Sequence, residues 1–266
     1  MIKQSMILII IFLLVGCSPT EGENQVSRTA LTAIAEQQPE VWHYVALGDS
    51  TVIIPGIGMM GYYKEMLEED LGIDIILQNQ AHGYGGATLL IQELDTPQLR
   101  EALQVADVIT LQIPTHNLES PMRAYMADPE SCGGEDHQDC LREAFNQYQE
   151  DTDVIFAKLV EIVDPAQQIV RAQDTYLFNV TNIKESGDFD VYNAYWQAAQ
   201  KHIHEVAEQY GIPVASVYDE FMGADGTDDP AEKGLMSDIT HSSKEGAKLM
   251  AQLIRELGYE YRSEEQ

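Results

Sequence analysis

The chain has 266 residues, 44% of them hydrophobic and 22% charged, a composition that describes a globular protein and excludes disordered or fibrous ones. That length buries one sizeable core. Fifteen Lys and Arg stand against 44 Asp and Glu, a net charge of −29. A surface so acidic repels phosphate backbones, which excludes a nucleic-acid partner, and otherwise reads as a solvated shell.

The chain opens with Lys3 and an apolar run from Met6 to Val15. The run is too short to span a bilayer but fits the apolar region of a secretory signal. Leu14-Val15-Gly16-Cys17 resembles the lipobox of bacterial lipoproteins, in which cleavage precedes the cysteine and the cysteine is lipidated. Residues 1–16 are thus expected to be a signal peptide and residues 17–40 a lipidated N-terminus and tether. Removing the signal removes Lys3 and leaves −30. Acyl chains on Cys17 would hold the protein at a membrane, outside the cytoplasm. In that oxidising compartment Cys132 and Cys140, eight positions apart, are expected to form a disulfide. His137 between them completes too few ligands for a zinc site.

From Val41 onward, short apolar runs alternate with helical patterns. Strands are expected at Trp42–Leu47, Ile73–Gln78, Val108–Ile113, Gln168–Ala172 and Ile212–Val217. Helices are expected near Gly61–Leu71, Leu89–Gln104, Glu143–Val163 and Asp190–Tyr210, with a last one from about Ser242 to Leu257. Ser242 and Glu245 have the spacing of a capping box at its start. Five strands alternating with helices predict an α/β fold with a five-stranded parallel sheet covered on both faces. In such sheets ligands bind at the carboxyl ends of the strands.

The first strand ends in Gly48-Asp49-Ser50-Thr51. A serine there is a nucleophile only if a base takes its proton. Of seven histidines, His43 lies in a strand, His82 and His137 in loops, and His202 and His204 on different faces of one helix. His241 differs. It follows Asp238 by three residues, just before the last helix, where the carboxylate can orient the imidazole. Two strings mislead. Gly56-Ile57-Gly58-Met59-Met60-Gly61 has the letters of a dinucleotide loop but comes too late after the strand. The acidic loop Asp225–Asp229 lacks the spacing of a calcium loop. The Gly-x-Ser-x-Gly elbow is absent around Ser50.

Gly48-Asp49-Ser50 near the N-terminus, with Asp238-Ile239-Thr240-His241 before the C-terminal helix, resembles the SGNH (GDSL-type) hydrolases. The resemblance covers about Val41 to Leu257 and places residues 41–266 in one such domain. It implies a flavodoxin-like α/β/α sandwich and a serine esterase or lipase without metal or cofactor. Ser50 would be nucleophile, His241 base, and Asp238 the residue orienting it. The oxyanion hole would combine the Ser50 N–H, a glycine after the second strand and an asparagine after the third. Gly83 is the choice for the glycine, with Gly85 the alternative. The third block departs from the family's Gly-x-Asn-Asp: Pro114-Thr115-His116-Asn117 puts His116 in the asparagine register. Either Asn117 or His116 donates, or the hole is impaired. Cys132–Arg142 resembles an insert of one bacterial branch, and Leu118–Cys140 is a long loop fit to be a lid or wall. The expected substrate is a small ester or an acylated carbohydrate or lipid, hydrolysed by a monomer. The competing reading is a surface binding protein with a vestigial site.

Overall fold

The structure, a computed structural model, describes residues 40–261. The signal peptide, Cys17 and most of the tether lie outside them. Five strands, β1 (Val41–Leu47), β2 (Asp74–Asn79), β3 (Val108–Gln112), β4 (Ile169–Gln173) and β5 (Val214–Ala215), form one sheet in the order β2-β1-β3-β4-β5. Every pairing is parallel. Every residue of β3 and β4 is buried, as a sheet covered on both faces requires. The predicted α/β sandwich is thus the observed fold.

Ten α-helices surround the sheet among the described residues: α1 (Ser50–Ile53), α2 (Gly58–Leu71), α3 (Ala87–Glu93), α4 (Pro97–Gln104), α5 (His116–Ala127), α6 (Asp139–Val160), α7 (Val180–Ser186), α8 (Phe189–Gln209), α9 (Val217–Met222) and α10 (Lys244–Glu256). Helix α10 packs on α2, while α6 packs with α3, α5 and α8.

The expected Leu89–Gln104 helix is two helices. The first ends at Glu93; Pro97 cannot donate to the preceding turn, and Thr96 caps the second, its Oγ1 accepting from Leu99 N. The fifth strand is only two residues long, because Pro213 has no N–H for the ladder and Val217 already begins α9. The last helix is capped by Ser243, whose Oγ accepts from Gly246 N at 3.1 Å; Ser242, the expected cap, is buried. The segment 118–140 is mostly ordered rather than loop: α5, a 3₁₀ turn at Pro129–Cys132 and the start of α6. Cys132 and Cys140 are joined as a disulfide, which ties that turn to α6.

Beyond the strand ends, Asp174 ties three elements together. Its buried carboxylate accepts from Tyr218 N at 2.8 Å, at the start of α9, and lies 2.9 Å from His204 Nε2 on α8. Burial holds the Asp174 carboxyl above its ordinary value despite the His204 hydrogen bond. The bond to Asp174 raises His204 against its own desolvation, and the Asp219 charge adds to this. Both groups therefore hold protons more tightly in the folded chain, so stability falls as pH rises. His204 contributes fully below the ordinary imidazole range and loses its contribution as pH climbs through the raised value. The melting-temperature advantage of wild type over His204→Gln is expected to be largest near pH 6 and to shrink by pH 9, as thermal unfolding at stepped pH would show.

Candidate active site

The carboxyl end of β1 sets the geometry. Gly48 leaves the strand where no side chain fits, since a Cβ would stand 2.9 Å from Gln112 Oε1 at the end of β3. That same Gln112 oxygen accepts from Asp49 N at 3.0 Å. Asp49 then caps α1, and Ser50 is its first residue.

The Asp49 side chain is buried and fully used. Oδ1 accepts from Thr51 N (2.9 Å) and Thr51 Oγ1 (2.8 Å). Oδ2 accepts from Thr115 N (2.9 Å) and Thr115 Oγ1 (3.3 Å), in the loop after β3. One carboxylate therefore holds the serine turn against the loop that precedes α5.

The third component comes from the other end of the chain. Met236 and Ser242 pair as an antiparallel bridge, and Ser237 N donates to His241 O at 2.9 Å, closing a tight loop. Inside it, Asp238 Oδ1 accepts from the N–H groups of Thr240 and His241, each at 2.7 Å. Its Oδ2 lies 2.9 Å from His241 Nδ1, and His241 Nε2 lies 3.1 Å from Ser50 Oγ. Partial burial pushes the Asp238 carboxyl up, but the His241 and Thr240 N–H groups and the His241 ring outweigh it and hold the carboxyl below its ordinary value. The loop is secured from outside by Tyr176, whose hydroxyl donates to Thr240 O at 3.0 Å, and by Asn179 N, which donates to Ile239 O at 2.6 Å. Ser50, Asp238 and His241 thus form one hydrogen-bonded chain, although Ser50 and His241 are 191 positions apart.

Around this chain the sequence choices separate. Asn117 lies in the first turn of α5 and abuts Gly86, where an added Cβ would stand 2.6 Å from Asn117 Oδ1. Among the described residues the Asn117 amide makes no hydrogen bond, and its Oδ1 is buried without a partner. His116 turns instead along the helix surface, half exposed, with Nδ1 3.5 Å from Glu119 Oε1. Gly83 is exposed with open space where a side chain would stand, so it is not the glycine that meets Asn117. Gly85 faces Leu89. The glycine at Asn117 is Gly86, immediately before α3. Its position at a helix start was the available signal.

Three other histidines are paired elsewhere: His82 meets Glu93 at 2.7 Å, His202 meets Asp153 at 2.8 Å and His204 meets Asp174 at 2.9 Å. His43 Nδ1 is buried in β1 without a partner. Gly56, Gly58 and Gly61 lie between α1 and the first turn of α2, away from the end of β1. Asp225 accepts from Thr227 within its own loop. No group of three metal-ligating side chains occurs among the described residues.

Known proteins share this fold. The architecture is that of esterases and lipases with a three-layer sandwich. A lipase from a goat rumen metagenome, Lip_vut3, superposes with a TM-score of 0.63 at 23% identity, over 82% of this chain and 98% of its own. The acetylxylan esterase Axe2 of Geobacillus stearothermophilus superposes at 0.56 and 15% identity, over 84% of this chain and 97% of its own. In sequence, the spore germination lipase LipC of Bacillus licheniformis is 24% identical over 223 residues, 81% of this chain and 96% of that protein. No protein-family model matches. The fold is that of the SGNH-type hydrolases, as the sequence motifs implied.

Because the Asp49 carboxylate has donors on both oxygens, Asp49→Asn would set an NH₂ against N–H groups in a buried site. The variant is expected to lose about 2–3 kcal/mol of stability, read as a lower urea midpoint.

Proposed function

We propose that the protein is a serine esterase that cleaves carboxylic esters through an acyl-enzyme. The unbroken chain from Ser50 Oγ through His241 to the Asp238 carboxylate carries this reading. With Nδ1–H donated to Asp238, the free pair of Nε2 accepts the Ser50 proton as Oγ bonds to the ester carbonyl carbon. The carbonyl electrons move to oxygen, giving a tetrahedral oxyanion. Collapse expels the alcohol, which takes the proton back from His241. Water, deprotonated by His241, then attacks the acyl-Ser50 ester, and the second collapse releases the acid and restores the serine.

Three donors suit the oxyanion: the Ser50 N–H at the start of α1, the Gly86 N–H, and the Asn117 amide held against Gly86. His116, turned toward Glu119, is the weaker choice for that role. The names of similar proteins, a lipase and an acetylxylan esterase, support ester or acylated-sugar substrates. The Leu14–Cys17 motif supports anchoring outside the cytoplasm through a lipid on Cys17. A protein that incorporates labelled fatty acid, and loses the label in Cys17→Ser, would bear that out.

The deciding experiment is hydrolysis of chromogenic esters by residues 40–266. Wild type is expected to turn over, and Ser50→Ala to fall to background. Asp238→Asn should stay folded and lose about 10⁴ in kcat, since the wrong imidazole tautomer faces Ser50. Failure of the folded wild type on every ester would favour the binding-protein reading. A separate pair assigns the third donor: Asn117→Ala is expected to lower kcat by roughly 10²–10³, and His116→Ala by less than about tenfold. The reverse order would give the role to His116.

A further inference from the structure

A polar hollow of about 430 Å³, within the range of small-ligand sites, opens where β4 and β5 end, and no member of the triad lines it. Asp174 and Ser216, which directly follow those strands, stand at its wall with Gln200 and His204 of α8, Asp219 of α9 and Asp225 just beyond. Gln200 is the informative residue. It is 3% exposed, and its Oε1 accepts from Thr175 N at 2.8 Å, which leaves Nε2 buried with no partner. Buried amide groups are ordinarily satisfied, so a donor without an acceptor at the wall of a hollow marks a place for one.

The neighbouring groups have capacity left as well. His204 gives Nε2 to Asp174 and keeps its second ring nitrogen. The bond to Asp174 favours the charged ring, in which Nδ1–H is a donor. Asp225 spends Oδ1 on Thr227 and keeps Oδ2. Asp219 makes no hydrogen bond among the described residues, and the Ser216 hydroxyl, although it stands at the start of α9, caps no N–H there. Donors and acceptors thus stand together around one space. A metal ion is a poor match, since no group of three ligating side chains occurs among the described residues. An anion would face Asp219 and Asp225, and an organic cation would leave the Gln200 donor unpaired.

We infer that the hollow is a second binding site, apart from the triad, that takes a neutral sugar ring whose hydroxyls donate to Asp219 and Asp225 and accept from Gln200 Nε2. A hydroxyl both donates and accepts, so one uncharged ring satisfies groups of both kinds. A neutral ligand also suits a chain of net charge −29, which repels anions. The position follows from the fold, because parallel sheets bind ligands beyond the carboxyl ends of their strands. Asp174 begins the segment whose Tyr176 holds the triad loop through Thr240 O. The two sites therefore share one support, and no triad residue belongs to both. The inference goes beyond the esterase reading and does not rest on it.

Titration of the ¹⁵N-labelled protein with xylose, glucose and galactose reads the Gln200 side-chain amide directly. At least one sugar is expected to shift that signal saturably, with a Kd of about 10 mM or tighter. Asp219→Ala, at an exposed position, is expected to weaken binding at least about tenfold, as the loss of a hydrogen bond to a charged group does. Ala224→Trp, at an exposed position on the wall, is expected to abolish binding, and amide spectra otherwise like wild type show that both variants fold. Ser50→Ala is expected to bind as wild type does. No saturable shift with any of the three sugars, or binding unchanged in either hollow variant, would overturn the inference. A shift with ethanolamine or phosphate alone would overturn it too, and binding lost in Ser50→Ala would move the sugar to the triad. Failure to hydrolyse any ester would count against the esterase and leave this site untouched.

Discussion

The site depends on one buried carboxylate. Asp49 accepts four hydrogen bonds, two from Thr51 beside the serine and two from Thr115 in the next strand's loop. Neither loop has another device of this strength to set its position against the other. Gln112 supports the same joint from the end of β3 by accepting from Asp49 N. Parallel strands end at one edge of the sheet, so β1 and β3 bring their loops to the same place; the carboxylate turns that nearness into a defined distance. Charge-assisted bonds to N–H groups are strong because the oxygens have no water to exchange with.

The imidazole beside Ser50 arrives by a different route. His241 belongs to a loop that organises itself: the Asp238 carboxylate binds two of the loop's own N–H groups as well as the imidazole. Such a loop has little conformational freedom left, so the imidazole is held in one orientation toward Ser50. Its placement relative to Ser50 rests on Tyr176 and on Asn179, both in the segment after β4. Asn179 adopts a left-handed backbone (φ 60°), which asparagine tolerates better than most residues. Three successive strand ends, β1, β3 and β4, thus contribute to one site without supplying one another's chemistry.

How much of this was legible in sequence follows from the range of each interaction. Ser50, Asp238 and His241 could be read because each sits in a short motif with local logic: a turn after a strand, or a carboxylate three residues from an imidazole. The sheet was legible because buried parallel strands are short apolar runs. Asp49 was visible only as part of a motif, since its partner Thr115 is 66 positions away. Gly86 was missed for a related reason. The glycine that meets Asn117 is selected across the fold, and a segment with three glycines, Gly83, Gly85 and Gly86, gives no local preference. The helix α5 was read as loop because Pro121 and Ser120 interrupt its pattern, whereas packing on α6 holds it. Ser243 rather than Ser242 caps α10, a one-residue shift that adjacent serines cannot resolve by spacing.

The helix α5 also explains why a departure from the family pattern need not weaken the site. Thr115, fastened to Asp49, is the residue immediately before the helix, so everything on its first turns inherits that fixed origin. His116 and Asn117 are about 100° apart on a helix. Only one of them can face the crevice; here it is Asn117, while His116 faces Glu119 at the surface. Starting the helix at His116 therefore moves the amide one position along the chain without moving it away from Gly86. A change that displaced α5 would therefore disturb the contact of Asn117 with Gly86 as well as the bonds from Thr115 to Asp49.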